Sequence, residues 1–163
     1  VVIVLDEEET SGYRADPDNP PSDVAGHGTA VAGVIHAIAP EAELYSVRVL
    51  GGNMRGRAFV FAGGLDYAIE HDMHVVNMSL STSSENYYSL FHDLADQAFF
   101  KQIPLVSAVN NNHEASYPST YSSVISVAAN DSTDPFTYHY NPSPPVEFGA
   151  PGINVKVAWM NKH

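Results

Sequence analysis

The feature that most constrains this chain is an alternation: strand-sized apolar runs, rich in β-branched residues, exchange places with segments of helical period. Val1-Val2-Ile3-Val4-Leu5 is a continuous run suited to a strand buried on both faces, as in a parallel sheet. The pattern next predicts a helix from His27 to Ile38, stopped near Pro40, and a strand Leu44–Leu50 closed by Gly51-Gly52-Asn53. Ala58–Glu70 places Phe59, Ala62, Leu65 and Ile69 on one helical face. Met73–Leu80 reads as a strand. Ser84–Lys101 reads as a helix capped by Ser84, with Leu90, Leu94, Ala98 and Lys101 marking its pitch. Ile103–Val109 and Val124–Ala128 are further buried strands, and a short one lies at Val146–Phe148. Residues 7–26 and most of the chain beyond Asn130 are rich in loop-forming residues. Strands alternating with helices predict an α/β fold, a three-layer sandwich with a mostly parallel sheet covered on both sides.

Bulk properties narrow the function. At 163 residues and 44% hydrophobic, the chain can bury one sizeable core, and a single domain over residues 1–163 is expected. Seven Lys plus Arg against nineteen Asp plus Glu give a net charge of -12, and the densest basic spot is only Arg55 with Arg57. Two charges do not neutralise a phosphate backbone, so no nucleic-acid partner is expected. The longest apolar runs, such as Ile103–Val109, fall far short of a membrane span, so no membrane partner is expected either. The absence of cysteine excludes disulfides, thiolate catalysis and cysteine-based zinc sites together. Residue 1 opens directly into an apolar run without a charged leader or cleavage site, so a targeting segment is expected to be already removed or never included.

In open sheets of this kind, ligands bind at the carboxyl ends of the strands. Asp6 ends the first strand, Asn77-Met78-Ser79-Leu80-Ser81 the third and Asn110-Asn111-Asn112 the fourth. His27 stands between Gly26 and Gly28 where loop turns into helix, a place where one imidazole nitrogen can face a cleft. A lone histidine there is more often structural; its company changes the reading. Together these are the parts for acyl transfer by an activated hydroxyl. Asp6 would accept a hydrogen bond from one imidazole nitrogen, His27 would act as general acid/base through the other, and an asparagine, Asn111 in preference to Asn110, would donate to the oxyanion.

At this point the sequence resembles the subtilisin-like serine proteases, and the resemblance runs through nearly the whole chain. Val2-Ile3-Val4-Leu5-Asp6 is similar to the family's aspartate strand and Gly26-His27-Gly28-Thr29-Ala30-Val31-Ala32-Gly33 to its histidine motif. Val75-Val76-Asn77-Met78-Ser79-Leu80, Leu105 to Asn111, Tyr117-Pro118-Ser119 and Ala150-Pro151-Gly152 follow in the family's order. The resemblance implies a subtilisin-like fold and a serine endopeptidase acting on peptide or protein substrates, with no cofactor. It implies that Ser79, Leu80 and Ser81 form an extended edge for the substrate peptide. Ser107, Ala108 and Val109 would line the pocket for the residue before the scissile bond. A pro-segment is a further partner the resemblance raises, and an extracellular location is favoured on that ground alone.

Departures from the family carry equal information. The family's nucleophile lies in a Gly-Thr-Ser-Met-Ala helix start after the Ala-Pro-Gly motif, and residues 152–163 do not contain it. The chain therefore reads as a domain cut short, incomplete at its C-terminus and inactive alone, with the serine outside it. The alternative is a catalytically inactive relative that binds peptides or regulates. Glu7-Glu8 stand where the family has a small residue and glycine, and Asn110 replaces the usual glycine, a position asparagine can fill because it tolerates unusual backbone angles. The Ile35–Pro40 junction has no room for a calcium-binding insertion, so no metal site is expected. Glu7, Glu8, Glu9, Asp16, Asp18 and Asp23 read as a solvated acidic face. His71-Asp72-Met73-His74 lacks a third ligand at metal-like spacing and reads as structural. Gly26-x-Gly28 with Gly33 imitates a nucleotide loop, but a long loop rather than a strand precedes it, and the match is accidental.

Overall fold

The β-branched residues at the start of the chain do form a strand, but not inside a parallel sheet. In the computed structural model, which describes residues 1–5, 13–16, 18–19, 22–112, 114–143 and 145–160, β1 (Val2–Leu5) pairs antiparallel with β2 (Tyr13–Asp16). β2 lies within the stretch predicted as loop; its partner is the otherwise unpaired edge of β1. The predicted strand Leu44–Leu50 reduces to one parallel bridge between Val2 and Arg48. Arg48 accepts from the Ile3 amide at 3.1 Å and donates to the Val1 carbonyl at 2.9 Å, while Leu44 and Tyr45 remain exposed. Val47, Val49 and Leu50 are half-buried, yet only Arg48 pairs with a strand.

Helix α1 (His27–Ile38) has the predicted bounds, ending before Pro40, which disfavours helical geometry in the residue ahead of it. Helix α2 (Ala58–Glu70) also starts and stops as predicted. Its buried face includes Ala62, Leu65 and Ile69 with Phe61 and Ala68, whereas Phe59 of the predicted face is 45% exposed. The Tyr13 hydroxyl donates to Asp66 Oδ2 at 2.5 Å, tying β2 to α2. The chain divides into two compact units, one of Val1–Tyr67 with the chain from Lys156 onward, the other of Ala68–Val155.

The second unit is built on a five-stranded sheet. β3 (Val76–Met78), β4 (Leu105–Ala108), β5 (Val124–Asn130), β6 (His139–Tyr140) and β7 (Phe148–Pro151) lie in the order β3-β4-β5-β7-β6. β3 with β4, β4 with β5 and β5 with β7 are parallel; only β6 with β7 is antiparallel. The predicted helix Ser84–Lys101 is split into a 3-10 turn at Glu85–Tyr87 and helix α3 (Tyr88–Phe100). Ser84 makes no side-chain cap; its amide instead donates to Thr82 Oγ1 at 3.2 Å. Phe91, Leu94, Ala95 and Ala98 form the buried face of α3, and α3 packs against β4. Lys101 Nζ donates to the Ile69 carbonyl at 2.9 Å, closing the last turn of α2 with a cation where the helix dipole favours one. β7 starts later than predicted because Ser126 Oγ holds the preceding segment, donating to the Pro145 carbonyl and accepting from the Glu147 amide, each at 2.9 Å. The architecture is α/β with a mostly parallel sheet.

Candidate active site

His27 is the first residue of α1 and is half-buried. Gly26, just before it, has φ 86°, the left-handed region that side chains other than glycine enter only under strain. A Cβ on Gly26 would lie 2.8 Å from the Trp159 ring, and one on Gly33 would lie 2.7 Å from Ala158 Cβ. Packing against the 158–159 segment thus accounts for these two glycines. Asp23 supplies the cap that Gly26 lacks. Its Oδ1 accepts from the amides of Ala25 at 3.1 Å and Gly26 at 2.7 Å, and its Oδ2 from the Thr29 amide at 2.7 Å. Thr29 is the third helical residue, where an N-cap side chain normally bonds. Hydrogen bonds from the Thr29 side chain and amide, then from the Gly26 and Ala25 amides, hold the Asp23 carboxyl down to about 2. Asp23, half-buried, is thus tied to this turn as well as belonging to the acidic stretch. The available signal was an acidic residue shortly before a helix start with threonine at the third helical position, the logic of a capping box. Asp6, Glu7, Glu8 and Glu9 lie outside the described residues.

The asparagines follow β4. The Val109 amide still pairs with the Val127 carbonyl at 3.0 Å, after which the chain leaves the sheet at its carboxyl end. Asn110 donates its amide to Ser116 Oγ at 3.2 Å, and its Oδ1 accepts from the Asn112 amide at 2.9 Å, an Asx turn. Ser116 and Ser119, both buried, are joined through their hydroxyls at 2.8 Å, and Ser119 Oγ also donates to the Ser116 carbonyl at 2.8 Å. Asn110 has no positive φ, so this position does not draw on the backbone freedom expected of it. Its side chain is committed to the turn, whereas Asn111 is exposed at the tip. A cleft of about 510 Å³ opens here, lined by Val109, Asn110, Asn111, Glu114, Ser116 and Val146 among others.

Of the predicted substrate-binding residues, Val109 alone shares that cleft with Asn111. Ser79, Leu80 and Ser81 are half-buried and run on from β3, the strand at one end of its sheet, outside any helix or strand. Thr82, directly after them, exchanges two main-chain hydrogen bonds with Tyr117, at 3.0 and 2.8 Å. Ala108 is half-buried; Ser107 is fully buried, its hydroxyl 3.5 Å from the Ala108 carbonyl. Asp72 of the His71–His74 cluster is engaged by Lys101 Nζ at 3.2 Å. Among the described residues no three histidine or carboxylate side chains are placed to hold a metal ion, and no helix is long and apolar enough to cross a membrane.

Comparison with known proteins gives the family. The profile of Peptidase S8, the subtilase family, matches residues 5–161. Minor extracellular protease Epr of Bacillus subtilis (strain 168) is 34% identical over 94% of this chain and 24% of its own length. Thermostable alkaline protease of Halalkalibacterium halodurans is 39% identical over 80% of this chain and 38% of its own. The chain thus spans well under half of these relatives. Among solved structures, Sphericase superposes with a TM-score of 0.71 at 25% identity, over 88% of this chain and 57% of that one. By sequence and by fold, this chain belongs to the subtilase family.

Proposed function

We propose that residues 1–163 are part of one serine endopeptidase domain that hydrolyses peptide bonds in peptide or protein substrates, its nucleophilic serine supplied by sequence outside this chain. The observation that carries the reading is the mounting of His27, at the head of a helix on a clamped turn, within a family match that runs from residue 5 to 161. In this mechanism His27 takes the proton of the serine hydroxyl as that oxygen attacks the scissile carbonyl. Asp6 accepts a hydrogen bond from the other imidazole nitrogen, fixing the tautomer and stabilising the imidazolium. The Asn111 amide donates to the oxyanion of the tetrahedral intermediate. His27 then returns the proton to the leaving amine, and water repeats the cycle on the acyl-enzyme.

The substrate would add as a strand along Ser79, Leu80 and Ser81, recognition through main-chain hydrogen bonds that depend little on sequence. Ser107, Ala108 and Val109 form the wall of the pocket for the residue before the scissile bond; Ser107 contributes by packing, since its side chain is buried. The Asx turn at Asn110 favours Asn111 as the donor because it leaves the Asn111 amide uncommitted to that turn. The test is steady-state hydrolysis of a chromogenic peptide by the full-length protein. Asn111→Ala is expected to lower kcat about 10²–10³-fold, the size measured for such a donor in a subtilisin, with KM little changed. Asn110→Ala should cost far less. A wild type that folds without hydrolysing peptides, or losses reversed between the two asparagines, contradicts the reading.

A further inference from the structure

Asp23 has no part in the aspartate-histidine-serine chemistry, yet it accepts three hydrogen bonds from the backbone around His27. Ala25 and Gly26 precede the histidine and Thr29 follows it by two positions, so one carboxylate grips the chain on both sides of the residue that must be aimed. Gly26 Cα, where φ is 86°, lies between two of those bonds, and the helix's own first bond, from the Ala30 amide to the Gly26 carbonyl at 3.0 Å, starts at the same residue. We propose that Asp23 is a positioning residue for His27: its carboxylate fixes the turn at Gly26 and the first turn of α1, and with them the direction in which the imidazole leaves the backbone.

The proposal rests on the reading of His27 as general acid/base. A carboxylate does this better than a hydroxyl because its two oxygens serve opposite sides of the histidine at once, Oδ1 toward residues 25 and 26 and Oδ2 toward residue 29. Charge adds to the fit, since amides at a helix N-terminus present the positive end of the dipole. Removing the grip leaves the third helical amide and the Gly26 amide without their acceptor, and the left-handed turn free to relax. A general base works only within hydrogen-bond reach of the proton it takes, and a displacement of about 1 Å costs on the order of 10²-fold in rate.

The experiment compares full-length wild type, Asp23→Ala and Asp23→Asn by kcat and KM per titrated active site, with melting temperature beside them. Asp23→Ala is expected to lower kcat about 10- to 100-fold with KM changed less than about twofold. Asp23→Asn keeps an oxygen acceptor for residues 25 and 26 and loses the one for Thr29, so it should recover part of the rate. A lower melting temperature with wild-type kcat per folded molecule in both variants overturns the proposal. Should Asp23→Ala not fold, Asp23→Asn decides alone: a several-fold loss in kcat supports the proposal and a wild-type value overturns it. Should the wild type itself not hydrolyse peptides, the protease reading fails and positioning is read from the ¹⁵N signals of the His27 imidazole. One sharp environment in wild type that shifts or broadens in Asp23→Asn supports it; superimposable signals overturn it.

Discussion

Gly26 answers two demands, a backbone angle and an indole ring. Gly26→Ala is expected to cost about 1–2 kcal/mol from the left-handed backbone alone, and more from the contact with Trp159, as measured by denaturant unfolding. Gly28→Ala is the control: its φ is helical and a Cβ there would meet only Asp23 at an ordinary 3.5 Å, so stability should hold or rise slightly. Asp23 makes a second prediction, in pH. Its carboxyl lies at about 2 in the fold against 3.8 when unperturbed, so its contribution is fully present above about pH 4 and is lost as pH falls toward 2. Acid unfolding of Asp23→Asn should accordingly show a shallower loss of stability in that window; an unchanged slope contradicts the hydrogen-bonded carboxylate. At this scale the sequence makes His27 and its glycines legible, because glycine and histidine each have few reasons to stand at a helix start. Asp23 was legible only as a helix-start acid with threonine at the third helical position; that its carboxylate also reaches the amides of residues 25 and 26 is seen only in the fold. The same holds for Asn110, whose side chain closes a turn that only the position of Asn112 reveals.

Helices α1 and α2 are legible to the residue, α1 from the loop-to-helix start at His27 and the stop before Pro40, α2 from its apolar face. Strand assignments fared according to burial. β4 and β5 carry apolar side chains that the sheet covers, and they appear where the runs predict. Leu44–Leu50 has the composition of a strand, but a ladder needs a partner along its length and only Arg48 has one. β2 and β6 have little apolar signature and exist through their neighbours, β1 and β7, which composition does not encode. Helix α3 offers the test at this scale. Phe91 is fully buried and Phe100 is 81% exposed on the same helix. Phe91→Ala should destabilise by about 3–5 kcal/mol, whereas Phe100→Ser should stay within about 0.5 kcal/mol, both read from denaturant midpoints.

At the scale of the molecule, the family match covers residues drawn from both compact units, and the fold class follows from the alternation that opens the chain. The pairing order β3-β4-β5-β7-β6 was not legible, because parallel crossovers are set by how helices cover a sheet rather than by any local pattern. Function divides along the same chain. On the proposed mechanism Asp6 and His27 carry the acid-base chemistry, Asn111 serves the oxyanion, Ser79 to Ser81 form the substrate edge, and a serine hydroxyl outside residues 1–163 would complete them. A peptidyl phosphonate reports on that completion directly, since it bonds only to a serine made nucleophilic by its surroundings. Full-length protein treated with such a probe, digested and mapped by mass spectrometry, is expected to carry the adduct on one serine outside residues 1–163, with labelling abolished in His27→Ala. Folded protein that takes no adduct, or an adduct indifferent to the loss of His27, would contradict a serine protease that works through this histidine.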